Sequence, residues 1–378
     1  MPPPSPTLQS HYPWLSTTQP PLASAPMLNI SLPSLATSVS LAGGFGFLAG
    51  GFDLTNLSTN LSECARLLHL HTSTNNTPPL KTAHEGDTEN QVLPIGLGLI
   101  TWGCSLPLLL SAISQNTPSA IWLFAPSSHM QLRNFAESIR ETTGGKTRIW
   151  VQITSVREAL EATDPELGVC ADVLVVQGGD AGGHGRRGGG AGVISLVPEV
   201  RDALGDAGRG ESVPLFAAGG VVDGRGVAAS LALGADGAVL GTRFLASKEA
   251  SITEGYRDEI LRASDGGVST VRTKVYDRVR GIYGWPEGYD GRGVVNRTFV
   301  EEVVEGVVGE EENRRLYEEE VERVRRGDEG GRVGWGPEGR MTTYAGTGVG
   351  LVREVKSARE IVEGVGRGAN EVLGRLGG

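Results

Sequence analysis

One histidine stands among glycines in a segment whose residue types could carry proton chemistry. His184 lies in the nine-residue run 177–185, in which five residues are glycine. Glycine lets backbone N–H groups approach a ligand closely, and an imidazole there can take or give a proton near neutral pH. The run follows residues 172–176, which are apolar after Asp172 and typical of a buried parallel strand. Two interpretations stay open: a catalytic base at a strand end, or a flexible loop with an incidental histidine.

Two further turns have the composition of a phosphate site. Gly219-Gly220 and Gly241-Thr242 directly follow apolar runs of the chain. Loops after the seventh and eighth strands of an α/β barrel commonly bind phosphate, because their bare backbone N–H groups point at the anion. We therefore predict a phosphate-binding site at these two turns, with ordinary tight turns as the alternative.

Two glutamine side chains end neighbouring predicted strands. Gln152 and Gln177 each carry both a hydrogen-bond donor and an acceptor, and together they could bind a planar heterocycle. With the phosphate turns they predict a phosphorylated, ring-bearing cofactor, and FMN fits that description. No cysteine, histidine or carboxylate spacing in the sequence resembles a metal site, so none is predicted.

The elements that must position these residues are predicted as eight strands that alternate with helices. This number of units and their length favour a (β/α)8 TIM barrel, an α/β fold whose active site lies at the C-terminal ends of its strands. A doubly wound open sheet is the alternative, but no GxGxxG follows the first strand. The predicted strands cover residues 21–25, 44–49, 93–100, 120–125, 148–153, 172–176, 213–218 and 237–240.

The alternation of strands and helices, and the points where it begins and ends, divide the chain into four predicted segments. Residues 1–20 are an extended N-terminal lead-in, and 21–249 form the FMN-binding barrel. Residues 250–345 are a mostly helical insertion that caps the barrel and sets substrate size, with one charged amphipathic helix over 299–326. Residues 346–378 form a return segment and a closing helix that packs on the barrel.

Composition excludes several classes of partner. The formal net charge is −10 without a basic stripe, which argues against nucleic-acid binding. The longest apolar run is shorter than a membrane span, and the N-terminus lacks the pattern of a secretory signal. The 3 cysteines are far apart in sequence, which is typical of a reducing compartment. We therefore expect a cytoplasmic protein that binds neither nucleic acid nor membrane.

Several motifs, taken together and in order, resemble the nitronate monooxygenases, formerly called 2-nitropropane dioxygenases. The resemblance runs from Ala25 almost to the end of the chain and is closer to fungal than to bacterial members. It rests on Ala25-Pro26-Met27, Ala42-Gly43-Gly44-Phe45-Gly46-Phe47, residues 177–184, Ala217-Ala218-Gly219-Gly220, Leu233-Gly234-Ala235-Asp236-Gly237, Gly241-Thr242-Arg243-Phe244, Ala263-Ser264-Asp265-Gly266-Gly267, Arg280-Gly281 and residues 285–292.

The resemblance implies an FMN-dependent TIM barrel that oxidises alkyl nitronates, and nitroalkanes, with O2 to a carbonyl compound and nitrite. His184 would be the general base on the α-carbon of a neutral nitroalkane. The FMN phosphate would lie on the two glycine turns. The remaining cofactor contacts would come from Ala25, Pro26, Met27, Gln152, Gln177, Gly182 and Gly183.

Two other functions remain open from the sequence. The first is an FMN-dependent NAD(P)H reductase of the same fold, of the enoyl-acyl-carrier-protein or quinone reductase type. The second is a flavin-binding protein without catalysis.

Arg186 and Arg187, just after the histidine, could attract an anionic substrate or simply be solvated. The oligomeric state also stays open, with a homodimer as one option.

Overall fold

An eight-stranded parallel sheet curls into a barrel in the computed structural model, which describes residues 6–75, 80–83, 92–210 and 212–376. The strands of this sheet follow the order β1-β9-β8-β6-β5-β4-β3-β2, and a parallel bridge between Ala23 and Phe45 brings its two ends together. The predicted TIM barrel is therefore confirmed. The strands are β1 (Leu22–Ser24), β2 (Phe47–Gly51), β3 (Leu93–Ile100), β4 (Pro118–Phe124), β5 (Arg148–Ile153), β6 (Val173–Gln177), β7 (Gly183–Arg186), β8 (Leu215–Ala218), β9 (Gly237–Leu240), β10 (Thr270–Thr273) and β11 (Tyr289–Val294).

Helices surround the barrel and cover the ends of its strands. The last of them, Ala358–Leu376, packs against α2 (Pro33–Leu41) and α8 (Gly224–Ala232). No helix among the described residues is long and apolar enough to cross a membrane. The helices are α1 (Pro6–His11), α2 (Pro33–Leu41), α3 (Leu57–Asn75), α4 (Leu106–Gln115), α5 (His129–Thr143), α6 (Val156–Thr163), α7 (Val193–Asp206), α8 (Gly224–Ala232), α9 (Thr242–Leu245), α10 (Glu254–Arg262), α11 (Gly266–Ser269), α12 (Val275–Val279), α13 (Arg297–Phe299), α14 (Glu310–Arg325) and α15 (Ala358–Leu376).

Side chains on each barrel strand alternate between two cores. In β5, Ile149 and Val151 face the helices, whereas Trp150 packs inside the barrel with Phe47 and Phe216. This follows from the two-residue period of a strand. Gln152 lies two residues after Trp150 and therefore faces the inside of the barrel, at the C-terminal end of β5.

The N-terminal segment differs from the predicted extended lead-in. Residues 1–5 lie outside the described part, but α1 follows them, and Leu8 and Tyr12 are fully buried. The Trp150 indole nitrogen donates to the Tyr12 hydroxyl at 2.8 Å, and the Tyr12 ring lies 4.7 Å from that of Phe45. The segment therefore closes the N-terminal end of the barrel. Its aromatic residues pack into the core inside the barrel.

The cap over residues 250–345 contains more than helices. Strands β10 and β11 pair antiparallel, and β11 also pairs with β7 from the barrel loop. The helix predicted over 299–326 is interrupted: a π-helical turn, Val300–Val304, precedes Gly306 in the left-handed region at φ 66°, and α14 starts anew at Glu310. A left-handed glycine ends a helix because it turns the chain away from the helical path.

Candidate functional site

The C-terminal mouth of the barrel holds a cavity of about 610 Å³ that extends beneath the cap. Since parallel strands end at the same edge, residues far apart in sequence meet there. The cavity collects every residue predicted for the site, although their individual roles stay predictions. These residues are Ala25, Pro26, Met27, Gln152, Gln177, Gly182, Gly183, His184, Gly219, Gly220, Gly241 and Thr242.

The two glycine turns form one wall of this cavity. Gly219 and Gly220 adopt φ angles of 107° and 74°, which side chains other than glycine rarely adopt. Within the described chain, the backbone N–H groups of Gly219, Gly220 and Gly241 donate to no protein acceptor. The Thr242 hydroxyl accepts a hydrogen bond from the Gly346 N–H at 3.0 Å, which leaves its own proton to donate. Bare N–H groups and a free hydroxyl proton suit an anion such as phosphate.

The two glutamines at the strand ends have different partners. The Trp122 indole donates to Gln152 Oε1 at 3.1 Å, whereas Gln152 Nε2 is buried without a partner among the described residues. An unpaired buried amide is costly, which indicates that a ligand supplies the acceptor. Gln177 Nε2 instead donates to the backbone carbonyl of His184 at 3.1 Å. Gln177 thus positions the histidine backbone, and its second N–H and its Oε1 acceptor are left for a ligand.

The loop after β1 also lines the cavity, through Ala25, Pro26 and Met27. Ser31 Oγ accepts from the Met27 N–H at 3.1 Å and donates to the Ala25 carbonyl at 2.9 Å, which fixes the loop conformation. A Cβ atom added to Gly98 would lie 2.2 Å from Pro26 Cβ. The bare Gly98 backbone therefore lets Pro26 and Met27 sit at the cavity wall.

His184 lies on a strand rather than in a flexible loop. It is part of β7 and pairs with Gly291 of β11. Its Nε2 atom lies 2.8 Å from Asp277 Oδ1, and the two side chains are only 11% and 6% exposed. An ionised carboxylate can only accept, so in the neutral imidazole the proton lies on Nε2 and the lone pair on Nδ1. That arrangement suits a general base that takes a proton at Nδ1.

A second hydrogen-bonded chain approaches the same carboxylate. The Tyr344 hydroxyl donates to Asp277 Oδ1 at 3.2 Å, and Arg280 Nη1 donates to the Tyr344 oxygen at 3.3 Å. Burial raises the pKa of Tyr344 far above its usual range, so the phenol stays protonated and acts as a donor. Asp277 therefore receives two hydrogen bonds on one oxygen, which fixes its orientation towards His184.

Aromatic rings enclose the histidine on its other side. The Trp285 ring stacks on His184 with centroids 3.7 Å apart and planes 9° from parallel. Trp285 in turn contacts Trp102 and Phe124 at centroid distances of 5.7 and 5.9 Å. This aromatic wall fixes the plane of the imidazole and reduces the access of water to it.

Sequence reasoning did not identify these neighbours of His184 as site residues. The motifs quoted above contain Arg280-Gly281 and Trp285-Pro286, but nothing in them points to contact with the histidine. Neither Asp277 nor Tyr344 belongs to a sequence motif that would mark it as a site residue. Asp277 lies 93 residues after His184 in the chain, and Tyr344 lies a further 67 residues on. The pairing of β7 with β11 brings the cap to the histidine, and residue spacing cannot show such a pairing.

Comparisons with known proteins agree on one family. A family model described as "Nitronate monooxygenase" matches residues 125–367, which is more than half of the chain. The nitronate monooxygenase npaC of Metarhizium robertsii is 44% identical over 360 residues, covering 94% of this chain and 92% of that protein. A nitronate monooxygenase of Neurospora crassa is 37% identical over 386 residues, covering 96% and 93%.

Solved structures support the fold. FabK from Thermotoga maritima has a TM-score of 0.68 at 22% identity and covers 98% of this chain and 97% of its own. Nitroalkane oxidase from Streptomyces ansochromogenes has a TM-score of 0.67 at 23% identity, with coverages of 98% and 99%. The chain therefore belongs to the nitronate monooxygenase family, whose members are nitronate-oxidising oxidoreductases, and this membership implies a flavin cofactor.

Proposed function

We propose that this enzyme uses FMN and O2 to oxidise alkyl nitronates, and also neutral nitroalkanes once His184 has removed the α-proton. The products are a carbonyl compound and nitrite. The observation that carries the proposal is the largely enclosed His184, whose Nε2 lies 2.8 Å from Asp277 Oδ1 while the residue lines the cavity. A base so oriented is needed for a nitroalkane and is dispensable for a nitronate, which is already deprotonated.

FMN fits the residues around the cavity better than an unphosphorylated flavin does. The free N–H groups of Gly219, Gly220 and Gly241 would hold its phosphate, and the unpaired Gln152 Nε2 would donate to its ring system. Ala25, Pro26, Met27, Gln177, Gly182, Gly183 and Thr242 would complete the contacts. When bound, FMN supplies the electron transfer and oxygen chemistry that no protein side chain offers.

The proton step depends on residues of this chain. His184 Nδ1 takes the α-proton, and the carboxylate of Asp277 stabilises the imidazolium that results. Trp285 keeps the imidazole plane fixed by stacking on it. Because the base is oriented before the substrate binds, little reorganisation accompanies the transfer.

Replacing His184 with Asn tests its role as the base. General base catalysis contributes about 10²- to 10⁴-fold, so we expect kcat/KM for a neutral nitroalkane to fall by at least about 100-fold. The same variant should oxidise the corresponding preformed nitronate within about threefold of the native rate, since no proton is removed. Full nitroalkane activity in this variant would remove His184 from the mechanism.

An anaerobic absorption titration separates the proposal from its alternatives. An alkyl nitronate should bleach the flavin bands of the purified protein, and NADH on a fresh sample should leave them almost unchanged. Bleaching by NADH alone would assign the protein to the reductases. Flavin bands that respond to neither compound would indicate a non-catalytic flavin-binding protein. The cytoplasmic location and the homodimer stay predictions.

A further inference from the structure

One guanidinium group in the cavity wall has no carboxylate partner. Arg280 follows α12, is partly buried, and lines the cavity together with His184. Its Nη1 donates to the Tyr344 hydroxyl at 3.3 Å, and its Cζ lies 5.5 Å from the Tyr344 ring centroid. It makes no ion pair with any carboxylate in the described ranges. A charge removed from bulk water in this way is costly unless an anion compensates it.

Two other largely buried arginines of the cap are each paired with a carboxylate. Arg272 lies 3.1 Å from the carboxylate of Asp290, and Arg340 bonds to Glu301; each arginine side chain is less than a tenth exposed. The carboxylate near Arg280 is that of Asp277, but its Oδ1 is already engaged by His184 and Tyr344. Arg280 therefore lacks the carboxylate partner that Arg272 and Arg340 have, although it lies in the cavity wall.

The unused nitrogens of Arg280 are open to the cavity. Among the described residues, only Nη1 of Arg280 has a hydrogen-bond partner. The Nε and Nη2 atoms have none, but they are not fully buried. One edge of the guanidinium therefore offers two parallel N–H groups. This fork matches the two oxygens of a planar oxyanion, which is how arginine binds carboxylates and related groups.

We propose that Arg280 is the anion-binding residue of the substrate site and holds the two oxygens of the nitronate group. The proposal rests on the proposed function, because it takes the nitronate as the ligand. Arg280, Tyr344, Asp277 and His184 form a chain with steps of 3.3, 3.2 and 2.8 Å, and Arg280 and His184 line the same cavity. Negative charge develops on the nitro oxygens as the α-proton leaves, and a fixed cation there stabilises it.

Inorganic nitrate is a suitable probe, because it is a planar oxyanion that cannot be oxidised by the enzyme. Nitrate is titrated into the FMN-loaded protein at constant ionic strength, and the flavin absorption spectrum is followed. We expect saturable binding that Arg280→Gln weakens about 10- to 100-fold, as for the loss of a charged hydrogen bond. The matched control is Arg187→Gln, which removes the same charge from an exposed position near the histidine and should shift the Kd by less than about twofold.

A second variant distinguishes lost anion binding from general damage. Arg280→Lys keeps the charge without the fork, so it should recover part of the nitrate affinity. Equal losses in the Lys and Gln variants would refute the proposal, and so would unchanged nitrate affinity in Arg280→Gln. A large loss of FMN affinity in Arg280→Gln would assign the residue to the cofactor instead. Native enzyme that binds nitrate through Arg280 without oxidising any nitronate would support the anion site while contradicting the proposed function.

Discussion

Replacing Asp277 with Asn is expected to slow the oxidation of neutral nitroalkanes far more than that of nitronates. The Asp277 carboxylate accepts from His184 Nε2 at 2.8 Å in a site where both side chains are nearly buried. Asn keeps the shape and can still accept from the Tyr344 hydroxyl, so the packing should be retained. What it removes is the negative charge that holds the Nε2–H tautomer and stabilises the imidazolium.

The size of the effect follows from the hydrogen bond that is lost. A hydrogen bond to a charged group contributes about 1.5–3 kcal/mol, and 1.4 kcal/mol corresponds to tenfold in rate. The expected fall in kcat/KM for a nitroalkane is therefore about 10- to 150-fold. Oxidation of the preformed nitronate should change by less than about threefold, because that reaction begins after the proton has gone.

The assay compares both substrates in the native enzyme and two variants. Nitrite release is measured with one nitroalkane and with its nitronate, and the ratio of the two kcat/KM values is the readout. The control, Asp258→Asn, removes an exposed carboxylate on α10 that pairs with Arg332, and it should leave the ratio unchanged. A parallel loss on both substrates would show that Asp277 supports the fold of the site, and the reasoning about the base would then be wrong.

Two further predictions concern the barrel itself. Tyr12→Phe leaves the Trp150 indole without its buried acceptor, so the free energy of unfolding should fall by about 1–3 kcal/mol in urea titration; activity should persist, because the contact lies at the closed end. A variant with the same free energy of unfolding as the native protein would exclude a stabilising hydrogen bond between Trp150 and Tyr12. Gly98→Ala places a methyl group 2.2 Å from Pro26 Cβ and should weaken FMN binding about tenfold by fluorescence titration, whereas Gly267→Ala, which meets no atom within 4 Å, should not. Native FMN affinity in the Gly98 variant would contradict this placement of the loop.

The barrel was predictable because its signals are local. The predicted strands 93–100 and 148–153 reappear as β3 and β5 with the same bounds, since a buried parallel strand is built mostly from apolar residues. The glycine turns were predictable for a related reason. Residues that follow barrel strands must meet at one mouth, so Gly219-Gly220 and Gly241-Thr242 were expected to be neighbours.

The surroundings of His184 were not predictable from local patterns. The glycine content of segment 177–185 predicts a loop, yet β11 of the cap imposes strand geometry on part of it. Tertiary pairing overrides the low strand preference of glycine when a partner strand is present. The N-terminal segment shows the same effect, since Tyr12 is fixed by Trp150, which lies 138 residues away.

The pairing of β7 with β11 also limits how these enzymes can be recombined. His184 belongs to a barrel loop by sequence, but its backbone is paired with Gly291 of the cap and its side chain with Asp277 of the cap. A cap transplanted alone from a relative would bring a foreign partner to the base. A cap that swung open as a lid would have to break a sheet that contains the base. A transplant that keeps the histidine with its partners therefore includes residues 177–187 together with the cap.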